Sequence, residues 1–87
     1  KVQPPKLKWA EEKELEVMEE TILEAEGEVE RLSEIFNDPE FYTKHGDNWQ
    51  DLEKELAEAK QKTQDLYARW EELEAIKAAF EEYKSNR

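Results

Sequence analysis

No cysteine occurs anywhere in the chain, which excludes disulfides, thiolate metal sites and cysteine nucleophiles together and fits a reducing compartment. Glycine appears twice and proline three times, too few for a collagen-like or loop-rich chain. One histidine, His45, and two serines, Ser33 and Ser85, leave nucleophilic catalysis almost nothing to work with, and they do not stand at motif spacing. No apolar run approaches a membrane span and nothing resembles a signal peptide, so a soluble cytoplasmic protein is expected. No glycine-rich loop is present to cradle a nucleotide phosphate. Lys1 in place of an initiator methionine leads us to expect a piece of a longer protein.

Charge, by contrast, is abundant. Charged residues make up 43% of the 87, with 24 Asp and Glu against 13 Lys and Arg and a formal net charge of -11. That is the composition of a long helix or coiled coil. The distribution is uneven. Between Glu14 and Glu40 there are eleven acids and one base, Arg31, while Lys1, Lys6 and Lys8 make the first eight residues locally basic. A negative field repels phosphate and argues against broad, nonspecific binding to nucleic acid or anionic membrane.

Apolar residues recur in steps of three and four on both sides of a polar stretch at 37–48. Before it stand Leu15, Met18, Ile22, Ala25, Val29, Leu32 and Phe36; after it stand Trp49, Leu52, Leu56, Ala59, Thr63, Leu66, Trp70 and Leu73. This is the seam repeat of a helix facing another helix. Paired outward from the polar stretch, the residue numbers of each pair give the same total to within one, as an antiparallel hairpin requires. The fold class is therefore all-α, two long helices in an antiparallel coiled-coil hairpin.

Residues 1–8, with Pro4-Pro5, read as a basic, extended linker to a parent domain, and 9–87 as the hairpin. Trp9 is expected near Leu73 or Ile76. The first helix should run to about Asn37, with Gly27 as a weak spot off the seam. At the tip, Asp38-Pro39 reads as an N-cap opening a short turn, Phe41 and Tyr42 as covers for the seam end, and Gly46 as the turn residue. Asp47 and Gln50 read as a capping box starting a second helix that reaches about Tyr83. Two faults mark its seam: Thr63 opposite Ile22, and Lys77 where Ile76 offers the apolar group. Beyond them Ile76, Phe80 and Tyr83 form a stripe expected to be partly exposed and available for self-association.

The carboxylates lack a concave pocket to separate their acidities and read as a solvated face. His45 with Asp47 and Glu40 lacks a defined ligand spacing, so no metal site is assigned. Lys60 is expected across from Glu26 and Arg69 across from Glu14, at positions flanking the seam. Lys1, Lys6, Lys8, Lys54, Lys62 and Lys84 are the candidate phosphate contacts. The aromatic residues on the seam read as core rather than stacking platforms.

Four pieces stand in a recognisable order: Lys6-Leu7-Lys8-Trp9, Glu14-Leu15-Glu16, Asp38-Pro39-Glu40-Phe41-Tyr42 and Arg69-Trp70-Glu71-Glu72-Leu73-Glu74. From about Lys6 to Ile76 the chain resembles the C-terminal domain of Uup-type ABC-F proteins, ATPases with two ATP-binding cassettes and no transmembrane part. The resemblance implies a two-helix coiled coil that serves as a DNA-binding or nucleic-acid-binding accessory. It implies ATP and magnesium in the parent's ATPase domains and no cofactor in this segment. Other partners considered are structured RNA, including ribosomal RNA or tRNA, the parent cassette domains, and a second copy of the hairpin. An independent enzyme is not expected.

Overall fold

The computed structural model describes residues 5–85. Three helices follow in order: α1, Trp9–Phe36; α2, Phe41–Lys44; and α3, Trp49–Ser85. Helices α1 and α3 pack side by side into a hairpin with principal extents of 65 × 19 × 18 Å, and α2 is a single turn at its tip.

The start of α1 is set by Lys8, whose extended backbone donates its N–H to the Glu11 carboxylate at 2.9 Å. Lysine has no acceptor to return the bond, so only half of a capping box forms. Glu11 and Glu12 in the first turn also face the positive end of the helix dipole. Helix α1 ends where the Asn37 N–H is shared between the Ser33 and Glu34 carbonyls.

Asp38 organises the tip. Its carbonyl accepts from the Phe41 N–H at 2.9 Å, its Oδ1 from the Glu40 N–H at 2.9 Å and its Oδ2 from Lys44 Nζ at 2.9 Å. The short helix thus begins at Phe41, two residues later than expected from Asp38-Pro39, because the Asp38 side chain closes a turn with Glu40 first. Phe41 is buried against the Phe36 ring at 4.5 Å, but Tyr42 is 70% exposed and meets Trp49 only edge-on. Gly46 does not supply a left-handed turn, since its φ is not positive. What it supplies is room: a Cβ there would lie 2.9 Å from the Tyr42 carbonyl oxygen.

The capping box expected between Asp47 and Gln50 does not form. Helix α3 starts at Trp49, which puts Asn48 at the cap, where its carbonyl accepts from the Leu52 N–H at 3.2 Å, and leaves Gln50 one residue short of the return position.

Along the seam, Met18, Ile22, Ala25 and Leu32 of α1 and Leu73 of α3 are buried. Leu15, Val29, Phe36, Trp49, Leu52, Leu56, Ala59, Leu66 and Trp70 are half-buried. Half-burial is what a hairpin offers, because each helix has one neighbour and solvent on its other sides. The Thr63 hydroxyl resolves the polar fault by donating to the Ala59 carbonyl at 2.9 Å. Ile76 turns inward while Lys77 is exposed.

Trp9 does not pack near Leu73 or Ile76: it is 73% exposed, with Lys13 Nζ 5.8 Å from its ring. Its place is taken by Leu7, which joins Met18, Ile22 and Leu73 in one buried cluster against Leu15, Leu66, Trp70 and Ile76. As the first residue of α1, Trp9 falls off the inward-facing stripe, whereas the extended backbone before it turns Leu7 onto α3. No described helix is long and apolar enough to cross a membrane.

Candidate functional site

Salt links divide the described cations into two sets. Lys13, Arg31, Lys44, Arg69 and Lys84 each have a carboxylate within 4.0 Å, at Glu16, Glu28, Asp38, Glu14 and Glu81 respectively. Lys6, Lys8, Lys54, Lys60, Lys62 and Lys77 have none among the described residues.

The strongest of these links lies across the helices. Arg69 donates from Nε to Glu14 Oε2 at 2.8 Å and from Nη2 to Glu14 Oε1 at 2.9 Å, with Glu72 at 2.8 Å and Glu11 at 3.7 Å completing a fork. A planar guanidinium matches a carboxylate in this two-pronged way, and the bond fixes register as well as adding attraction. The Arg69 hydrogen bond holds the Glu14 carboxyl below the usual range, and Glu14 in turn raises Arg69. Arg31 lowers Glu28 in the same way, and Lys44 lowers Asp38.

The expected partner of Glu26 is replaced. Lys60 does not reach it; the Tyr67 hydroxyl donates to Glu26 at 2.6 Å instead, and this bond raises the pKa of the Tyr67 hydroxyl. Side chains on a helix lean toward its N-terminus, so in an antiparallel pair Glu26 and Tyr67 lean toward each other although their backbones are offset. Tyr67 follows the seam residue Leu66 in sequence, a position that flanks the seam, but its reach to Glu26 depends on this lean and was missed from the sequence.

The candidate phosphate contacts do not gather on one edge of α3. Lys54 and Lys60 are exposed away from both grooves of the hairpin. Lys62 lines a groove midway along the arm, among Glu24, Glu28, Glu55 and Glu58. Lys8 caps α1 and is exposed. Lys1 lies outside the described residues. The structure does bring Lys6 and Lys84 together at the open end, where each ammonium stands 5.6 Å from the Phe80 ring centroid. Lys77 lines the same open-end groove, of about 640 Å³, with Leu7, Leu15 and Phe80 on its floor. Glu12, Glu16, Glu74 and Glu81 stand around it, so the groove is mixed in charge. Phe80 and Tyr83, expected to be partly exposed, are half-buried with their rings tilted against each other at 6.1 Å, and Ile76 belongs to the core margin.

His45 is half-buried with its ring 5.4 Å from Phe41, so it serves the tip's packing. Among the described residues no group of three or more His, Cys, Asp or Glu side chains could hold a metal ion.

Residues 6–75 match the family model described as the ABC transporter C-terminal domain. The match covers most of the 87 residues, and the chain belongs to that family. It is thus an accessory domain of an ATP-binding cassette protein. No curated protein and no solved structure matches the chain significantly.

Proposed function

We propose that this hairpin is the C-terminal accessory arm of a Uup-type ABC-F ATPase and that it contacts nucleic acid, duplex or branched DNA in the first place, from its open end. The observation that supports this is the meeting of Lys6 and Lys84 over Phe80, with Lys77 on the same groove, among four glutamates that stand around it. It stands at the end of an arm whose α1 face is strongly acidic, and the negative face confines a phosphate backbone to that end. Lys8 lies beside the cluster in sequence and extends it. ATP and magnesium belong to the parent's cassette domains, in the cytoplasm, and chemistry belongs there too. The hairpin's share is position and affinity.

A self-associating module built on Ile76, Phe80 and Tyr83 has less in its favour, because Lys6 and Leu7 cover that stripe. The test is fluorescence anisotropy of labelled duplex, branched and single-stranded DNA and of structured RNA, at two salt concentrations. Replacing Lys6, Lys77 and Lys84 by Gln should lower the slope of log affinity against log salt by roughly 2 to 3, since each duplex phosphate contact contributes about 0.9. An unchanged slope rules out this contact set. Tighter binding of RNA than of any DNA moves the assignment to ribosomal RNA or tRNA, and absence of binding at low salt leaves an arm that positions the parent.

A further inference from the structure

The buried cluster of the open half, Leu7, Met18, Ile22 and Leu73, does not extend to the tip. Leu32 and Phe41 are buried separately on the other side of a thin level where Ala25 faces Ala59. A methyl against a methyl buries far less apolar area than the leucine and isoleucine levels on either side, so the two halves are weakly coupled there.

Three further features lie at or beside this level. A groove of about 520 Å³ opens beside Ala25 and Ala59, walled by Glu24 and Glu28 from α1 and by Glu55 and Glu58 from α3, with Lys62 as the cation on its lining. Carboxylates beside an open groove therefore border this level, where larger apolar side chains pack elsewhere along the seam. Thr63 donates its hydroxyl to the Ala59 carbonyl at 2.9 Å, and one turn toward the open end Thr21 donates to the Val17 carbonyl at 2.9 Å. Such bonds compete with the helix's own carbonyl acceptors and bend it. Gly27 has no side chain, and a Cβ there would meet nothing within 4 Å.

We infer that the arm carries a pivot at the Ala25–Ala59 level, about which the tip half swings relative to the open half. A hairpin bends only if both helices yield close together, and here each carries a back-bonded threonine within about a turn of the thin layer. A kink of about 20° at this level displaces the tip by roughly 10 Å over half of the 65 Å length. The pivot aims the tip, with its exposed Tyr42, independently of the open end.

Amide residual dipolar couplings are measured on the weakly aligned 87-residue chain without nucleic acid, and the open half (10–20 and 66–80) and the tip half (29–36 and 50–56) are fitted separately. The pivot predicts two alignment tensors of unequal magnitude that become equal when Ala25→Leu and Ala59→Leu join the two clusters. One common tensor from the start overturns it, as does an inequality that the two leucines leave unchanged. Amide exchange on the unsubstituted chain provides a reading that needs no variant. Residues 24–28 and 56–62 should exchange at least about tenfold faster than 66–73, as segments of low local stability do. Equal protection along α3 overturns the pivot.

Discussion

Arg69 shows how much of this hairpin is decided by single polar contacts. The Glu14 carboxyl holds its pKa below the ordinary value because the charged form keeps two hydrogen bonds to Arg69, so the pair stabilises the folded state above the unfolded carboxyl's range. That contribution is lost as pH falls through the lowered folded value, once the carboxyl takes a proton. Glu14→Gln, which resembles the protonated residue, should therefore lower the urea midpoint at pH 7 and converge with the unsubstituted chain once the pH has fallen below the lowered folded value. Parallel pH curves would assign the cost to the shape of the side chain and not to its charge.

At the scale of the element, the segment before α1 matters more than the first aromatic residue inside it. Leu7 is buried in the main cluster while Trp9 is mostly exposed, although a hydrophobicity scale ranks both as core residues. Leu7→Ala should cost about 2 kcal/mol, at the lower end of buried leucine truncations because the site lies at the open end. Trp9→Ala should stay within about 0.5 kcal/mol, the usual range for exposed positions. Thermal or urea unfolding of the two variants side by side distinguishes them, and equal costs would show that the open end packs on Trp9 after all. The seam of α3 was legible over its full length from Trp49 to Tyr83, since a period of three and four survives any register. The caps were not. Whether Asp47 or Asn48 stands at the start of α3 depends on where Trp49 meets Tyr42 across the tip, and no local spacing carries that information.

For the whole molecule, net charge outweighs the ion pairs. Eleven acids crowd 14–40 with one base among them, whereas five cations are engaged in described salt links. Added salt screens both, but the uncompensated repulsion is the larger quantity. The thermal midpoint should accordingly rise between about 10 mM and about 0.15 M salt, as the screening length shortens from about 30 Å to about 8 Å. A midpoint that falls over this range would mean that the Arg69 fork and its fellows hold the hairpin against a repulsion that matters little.

What the sequence alone determined is the hairpin itself. Helical period, a mirror of apolar residues about a polar stretch and the near-absence of glycine and proline are local or pairwise properties, and any chain obeying them folds back in one register. The Arg69–Glu14 link was legible for the same reason, being a consequence of that register. The tertiary structure decided which cations remain without partners, which residue closes the open end and where the core is interrupted. Each of these depends on side-chain lean and reach across the pair. Tyr67 takes Glu26 from Lys60, Leu7 takes the place of Trp9, and Lys6 meets Lys84 over Phe80 because two ends far apart in sequence arrive at one level in space.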